Sequence, residues 1–283
     1  MSEPAVCRVC FRHCHIKEGD LGFCGGRTCR EGRVEAYNYG KITGAALDPI
    51  EKKPLARFYP GSRILSVGSF GCNLRCPFCQ NYDISWSEQA KRYREEAREI
   101  SPEELVRLAE AYKNRGNIGL AFTYNEPLIG YEFVRDTAKI AKEAGLKNVL
   151  VTNGTAELPI LEELVPYIDA MNIDLKGFTD RYYQKVLGGC REQTMAFIEE
   201  AVKHCHVELT TLIVPGENDT EEEMRQISGW IAGLDRGREI PPHISRFFPR
   251  FHMTDRRATD VSLVYRLADV AREKLAYVYT GNC

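Results

Sequence analysis

From residue 63 onward, short apolar, β-branched-rich runs alternate with amphipathic segments. Runs at 64–69, 118–123, 148–152, 170–174, 207–214 and 243–248 read as strands, and 276–279 as a possible seventh,. Ser101-Pro102-Glu103-Glu104 opens a helix with a cap, a first-turn proline and acids near the positive end of the dipole,. Asp219 to Glu223 opens another by the same logic, Gly145 reads as a helix C-cap, and 260–275 reads as the last helix,. Such alternation calls for parallel strands joined by right-handed crossovers. Six or seven units predict an α/β fold, an incomplete (β/α)6-type TIM barrel over 61–283, with an open doubly wound sheet as the alternative. A chain of 283 residues can form that unit, and a hydrophobic content of 43% supplies its core,.

Cysteines divide the chain differently. Of 11, five lie between Cys7 and Cys29, three between Cys72 and Cys79, and only Cys190, Cys205 and Cys283 follow. Residues 1–60 therefore read as a small cysteine-rich metal-binding lobe with little regular structure, linked to the rest by Asp48-Pro-Ile-Glu-Lys-Lys-Pro54. The stretch from Met1 to Val6 has no apolar core of a leader peptide, and no segment approaches membrane-spanning length,. A cytoplasmic protein is expected, in which clustered thiols mark metal or catalytic sites rather than disulfides.

Cys72, Cys76 and Cys79 are spaced Cys-x3-Cys-x2-Cys. Three thiolates can hold three irons of a cubane cluster and leave the fourth without a protein ligand, whereas electron-transfer clusters use four cysteines. The alternative is three legs of a zinc site, although zinc motifs more often pair Cys-x2-Cys units. In parallel βα folds, chemistry gathers where strands end. The cysteine loop follows the first strand, Tyr124-Asn125-Glu126-Pro127 the second, and Asn153-Gly154 the third. Asp174-Leu175-Lys176 ends the fourth, 215–219 follows the fifth, and Arg250-Phe251-His252 follows the sixth. One rim thus collects the conspicuous polar groups.

With these motifs in view, the chain resembles radical S-adenosylmethionine (SAM) enzymes related to glycyl-radical-enzyme (pyruvate formate-lyase) activating enzymes. Within that group it looks most like the radical SAM component of the AmmeMemoRadiSam system. The pattern of Cys7, Cys10, Cys14 and Cys24, the 48–54 segment and Ser245-Arg-Phe-Phe-Pro249 carry that placement, over nearly the whole chain. The resemblance implies that Cys72, Cys76 and Cys79 ligate a 4Fe–4S cluster whose open iron binds SAM. It implies that Glu126, with backbone around Tyr124 and Asn125, contacts the SAM amino group, as suits a carboxylate and an ammonium. Asn153, Asp174 and Lys176 would line the SAM pocket, and His252, or adjacent Phe251, would flank the adenosine. The implied activity is reductive cleavage of SAM to a 5′-deoxyadenosyl radical, which takes hydrogen from a protein, a glycyl position being one option, or from a small-molecule substrate. A reducing partner of flavodoxin or ferredoxin type is implied as well.

Each role has a plainer counterpart. Glu126 could cap the following helix. Asp174 and Lys176 could form a structural ion pair, and Asn-Gly is a common turn dipeptide. His204 and His206 would face solvent or a helix end, and His243 could be a satisfied core histidine. Many activases carry an Asp before Thr-Asn-Gly that contributes to a cation site; this chain has Val151, so that site is not expected.

Cys7, Cys10, Cys14 and Cys24 offer four thiolates to a lobe too small for a strong core of its own,. They could close around a structural zinc or hold a second 4Fe–4S cluster. Extra clusters in activases usually follow the radical SAM motif, which tilts this set, placed before it, toward zinc. Cys29 is a spare or alternative ligand. A non-catalytic iron–sulfur or zinc protein would explain the cysteines but not the polar groups recurring at strand ends. Lys+Arg 38 against Asp+Glu 40 gives a net charge of −2, without a basic aromatic tract, which argues against a nucleic-acid partner,. Arg246, Arg250, Arg256 and Arg257 read as a solvated or salt-bridged surface.

Overall fold

The structure, a computed structural model, describes residues 3–283; Met1 and Ser2, the start of the run read for a leader, lie outside the described residues. One eight-stranded sheet organises the chain, in the order β14-β13-β12-β11-β10-β9-β7-β6. Seven strands are parallel: β7 (Arg63–Gly68), β9 (Asn117–Phe122), β10 (Lys147–Thr152), β11 (Ala170–Asp174), β12 (His206–Ile213), β13 (Pro242–Arg246) and β14 (Tyr279–Gly281). The edge strand β6 (Gly44–Pro49) runs antiparallel to β7, from Gly44 opposite Gly68 to Pro49 opposite Arg63. Strands β6 and β14 end the sheet, so the barrel is partial.

Period-two alternation sorts the strand residues. Leu65, Val67, Leu120, Phe122, Leu150, Met171, Ile173, Leu209 and Ile244 join the main apolar core,. Against it pack α3 (Pro102–Ala111), α4 (Tyr131–Glu143), α5 (Leu158–Leu164), α6 (Arg191–Ala201), α7 (Glu221–Ala232) and α8 (Val261–Arg272). Shorter α1 (Tyr82–Ser85) and α2 (Glu88–Glu96) follow the cysteine loop. The opposite strand faces carry Ser66, Ala121, Val149, Asn172, Thr210 and His243 toward the barrel interior.

Helix α3 starts where the sequence places it. The Ser101 hydroxyl accepts from the Glu104 N–H at 3.2 Å, and Glu104 accepts from the Ser101 N–H at 2.8 Å, a reciprocal box worth about 1 kcal/mol,. The cap of α7 is Thr220 rather than Asp219, because the Thr220 hydroxyl accepts from the Glu223 N–H. The seventh strand begins only at Tyr279: Ala276 is held off the sheet by its N–H bond to the Arg238 carbonyl at 2.8 Å.

The first 60 residues hold more order than their composition suggests. Two small antiparallel pairs form, β1 (Ala5–Val6) with β2 (His15–Ile16), and β3 (Arg27–Arg30) with β4 (Arg33–Ala36). A third joins β5 (Lys41–Ile42) to β8 (Arg98–Glu99), and β6 enters the main sheet. The 48–54 segment is more than a link. Ile50, Leu55 and Phe58 pack on Ile64, Ala121, Val149 and Ala170, plugging the barrel interior at the entry end of its strands. Buried Glu208 accepts from the Ala56 and Arg57 N–H groups at 2.9 and 2.7 Å and fixes the plug to β12. No described helix is long and apolar enough to cross a membrane.

Candidate functional site

The chain leaves β7 through a loop that only glycine can start. Gly71 has φ of 93°, and a Cβ there would stand 2.6 Å from the Cys24 carbonyl oxygen,. The loop then turns Cys72, Cys76 and Cys79 into one cavity of about 710 Å³, within the roughly 300–1,000 Å³ of small-molecule sites,. Asn125 holds this loop: its amide donates to the Phe70 and Gly71 carbonyls at 3.2 Å, and its Oδ1 accepts from the Ser69 N–H at 2.9 Å.

The thiols suit a soft, multiply charged group. Burial pushes Cys72 well above an ordinary thiol and Cys76 up to about 11, with the Lys176 ammonium opposing the shift at Cys76. Deprotonating three such thiols therefore calls for a cation to join them. N–H donors already reach sulfur: the Leu74 N–H lies 3.4 Å from Cys72 Sγ, and Asn153 Nδ2 lies 3.9 Å from it. Thiolates in a cavity with N–H···S contacts fit an iron–sulfur cluster.

Tyr124, Asn125, Glu126, Asn153, Asp174 and Lys176 line the same cavity. Glu126 is buried, and burial pushes its carboxyl up to about 7 against three hydrogen bonds. Its Oε1 accepts from Thr152 Oγ1 at 2.7 Å and the Leu128 N–H at 3.1 Å, and its Oε2 from the Asn153 N–H at 2.8 Å. Its plainer role is thus present, since it caps the short helix at Pro127–Gly130. A carboxylate has about four acceptor positions, so one on Oε2 stays available. Asp174 Oδ2 pairs with Lys176 Nζ at 2.7 Å, which makes the ion pair real while both groups still face the cavity. Asn153 ties the cysteine loop down through its amide, which donates to Asn73 Oδ1 at 2.9 Å. Tyr124 takes a left-handed φ of 72° and donates its hydroxyl to Asp48 at 2.7 Å.

His252 is not brought to the cavity wall. Its backbone N–H donates to the Pro77 carbonyl at 2.8 Å, and its ring packs on Phe251 and Trp86 behind the cysteine loop. Phe251 stacks on Tyr82 at 4.4 Å between centroids. Val151 lines the cavity where an Asp would serve a cation. His243, expected as a satisfied core histidine, donates its Nε2–H to Glu208 Oε2 at 2.6 Å and also reaches the cavity. Arg256 bonds Glu217 at 2.8 Å and the Pro215 carbonyl, as a salt-bridged surface requires.

Tyr182 and Thr210 were not expected in the cavity wall, and Ser245 was marked only as part of a family segment; all three line it. Inner-face alternation on β12 and β13 could have found Thr210 and Ser245. Nothing in the sequence points to Tyr182, which sits on a single π-helical turn at Tyr182–Leu187, a device common at functional sites,. It is fully buried and its hydroxyl has no partner.

A family model described as the Radical SAM superfamily matches residues 66–227. The chain is 42% identical over 278 residues to an uncharacterised protein of Methanocaldococcus jannaschii, spanning 98% of this chain and 80% of that one. It is 28% identical over 174 residues to the pyruvate formate-lyase 1-activating enzyme of Escherichia coli K12, spanning 59% of this chain and 68% of that one. Among solved structures, Streptococcus suis SuiB bound to S-adenosylmethionine superposes with a TM-score of 0.59 at 14% identity, covering 78% of this chain and 52% of that one.

Proposed function

Because the chain belongs to the radical SAM superfamily, whose chemistry needs a 4Fe–4S cluster and SAM, we propose that Cys72, Cys76 and Cys79 hold that cluster by three irons. SAM would be held by the walls that Glu126, Asn153, Asp174 and Lys176 form beside those thiols. The observation that carries this reading is a single cavity lined by all three thiols and all four polar residues. Bound there, such a cluster would supply the one-electron reduction of SAM that the radical chemistry requires.

The protein's part is to bind, orient and exclude water. The free acceptor position on Glu126 Oε2 would receive the SAM ammonium, and the Lys176 ammonium, held by Asp174, would suit the SAM carboxylate,. Asn125 and Asn153 fix the cysteine loop through the hydrogen bonds described above. The plug at Ile50, Leu55 and Phe58 keeps water from the far end of the barrel.

The substrate is a protein, and a backbone glycine on an extended loop is the form we favour. Two observations support this. The relative from Escherichia coli is named for activating another enzyme. The sheet ends at β6 and β14 without closing, which leaves lateral room for a loop. The electron donor is a flavodoxin- or ferredoxin-type protein. Reconstituted protein is expected to turn SAM into 5′-deoxyadenosine under reducing, anaerobic conditions, and a Cys72/Cys76/Cys79→Ala variant to do so not at all. Wild-type protein that binds iron yet leaves SAM intact would defeat the reading.

A further inference from the structure

Of the buried polar atoms without a partner, two belong to side chains that share the wall of a space with cysteines. One is Arg27 Nε, beside the small space that Cys7, Cys10, Cys14 and Cys24 line together; Cys29 stays apart, its thiol facing Glu18 Oε2 at 3.7 Å. The Arg27 charge is already met by Glu132 at 2.6 Å. The other is the Tyr182 hydroxyl, in the wall of the cavity that holds Cys72, Cys76 and Cys79.

The seat of Tyr182 is apolar and tight. Its ring packs with Leu74, Cys76, Phe78, Val214 and Phe247 in one buried cluster, and the residue is fully buried. Gly177 leaves room for it: a Cβ there would stand 2.6 Å from Tyr182 Cδ1. The π-helical turn that begins at Tyr182 is fastened to the cysteine loop at its other end. The Arg75 N–H donates to the Leu187 carbonyl at 2.8 Å, and Leu74 packs against Gly189. Its neighbour on the turn is accounted for within the fold, since the Tyr183 hydroxyl accepts from the Lys176 N–H at 3.0 Å. The Tyr182 hydroxyl has no such bond. A buried hydroxyl left unpaired is costly, and Phe would fill an apolar seat of this shape without that cost. The oxygen is therefore explained by a group that enters the cavity.

The chemistry of the wall says which kind of group. A tyrosine hydroxyl stays protonated at neutral pH, so it offers a donor to an anion. The Cys76 sulfur belongs to the same packed cluster. Burial raises Tyr182 well above the usual phenol range, the Cys76 charge adds to the rise and the Lys176 ammonium opposes it, so both act on this hydroxyl. We propose that the Tyr182 hydroxyl donates a hydrogen bond to a sulfur of the group held by Cys72, Cys76 and Cys79, on its Cys76 side. Tyr182 is then a contact residue for that group and sets its reduction potential, because a donor to sulfur favours the more negative, reduced state. The identity of the group as a 4Fe–4S cluster rests on the radical SAM reading above.

The test is a redox titration of the anaerobically reconstituted full chain without SAM, followed by electron paramagnetic resonance, with wild type beside Tyr182→Phe. Both are expected to take up the same iron. At a fixed potential the variant is expected to hold about tenfold less reduced cluster relative to oxidised, a shift of about 59 mV to more negative potential. Before reconstitution, urea should unfold the variant at the same midpoint as wild type or slightly higher. Tyr183→Phe is the control and should do the reverse: a lower urea midpoint, because the Lys176 N–H loses its acceptor, and an unmoved potential. An unmoved potential in Tyr182→Phe overturns the proposal. An equal shift in Tyr183→Phe overturns it too, by tracing the change to a loosened turn, as does a lower urea midpoint in unloaded Tyr182→Phe. Weaker SAM binding by Tyr182→Phe at an unmoved potential would assign the hydroxyl to SAM instead. SAM cleavage by wild type is measured separately: cleavage with an unmoved variant potential sinks this contact alone, and a loaded cluster that leaves SAM intact sinks the radical SAM reading while the titration still decides the contact.

Discussion

At the scale of single residues, Glu126 shows how one carboxylate serves structure and ligand together. Replacing it with Ala leaves the Asn153 N–H and Thr152 hydroxyl unpaired, which costs about 1–3 kcal/mol for each buried donor,. It also removes the proposed partner of the SAM ammonium. Glu126→Ala is therefore expected to weaken SAM binding by about tenfold or more, as for a lost charge-assisted hydrogen bond, with iron content unchanged. Calorimetry with SAM on the loaded protein measures this, and an unaltered Kd would refute the assignment. Tyr182→Phe removes only the unpartnered hydroxyl. Without a ligand the variant is expected to be as stable as wild type or slightly more so, since no hydrogen bond is lost. A drop in SAM affinity or a changed cluster spectrum on loading would give that hydroxyl a role. Glu126 was legible because it follows a strand beside Pro127. Tyr182 was not, because a π-helical turn has no sequence period to read.

At the scale of elements, the plug at 50–58 closes the entry end of the barrel, and Glu208 holds it. Burial alone would push the Glu208 carboxyl up. Bonds from His206, His243 and the Ala56 and Arg57 N–H groups outweigh that and hold it at about 2. A carboxyl depressed on folding stabilises the fold above its unfolded value of about 4.3 and loses that contribution as pH falls toward the folded value. Glu208→Gln should therefore flatten the decline of stability between about pH 4.3 and 2. At neutral pH it should cost about 1–3 kcal/mol, as for hydrogen bonds lost from a buried charged group. Urea midpoints of both proteins across that range check both effects; parallel curves would exclude Glu208 as the acid-sensitive clasp. The sequence marks 48–54 only by its prolines and charges. That Ile50, Leu55 and Phe58 turn inward depends on a hollow that exists only once the strands are arranged.

At the scale of the whole molecule, the cysteine-rich segment and the barrel are fastened together. Cys10 bridges to Ala156, the Glu157 N–H donates to the Val9 carbonyl at 2.9 Å, and Arg12 reaches the Gly188 carbonyl. Strand β6 lies within the main sheet. Thermal unfolding of the loaded protein is accordingly expected in one calorimetric transition, and two separated transitions would show an independent lobe. The sequence by itself determined the alternation of strands and helices, the parallel sense of the strands, and the rim that gathers the polar groups. Those follow from local periods and from the rule that parallel strands put their ends on one side. Only the tertiary structure decided that His252 turns away from the cavity, that the 50–58 segment fills the barrel, and that Cys24 adjoins Cys72. The reason is physical: these are contacts between segments far apart in sequence, and their energy comes from burial and hydrogen bonds that no local pattern encodes.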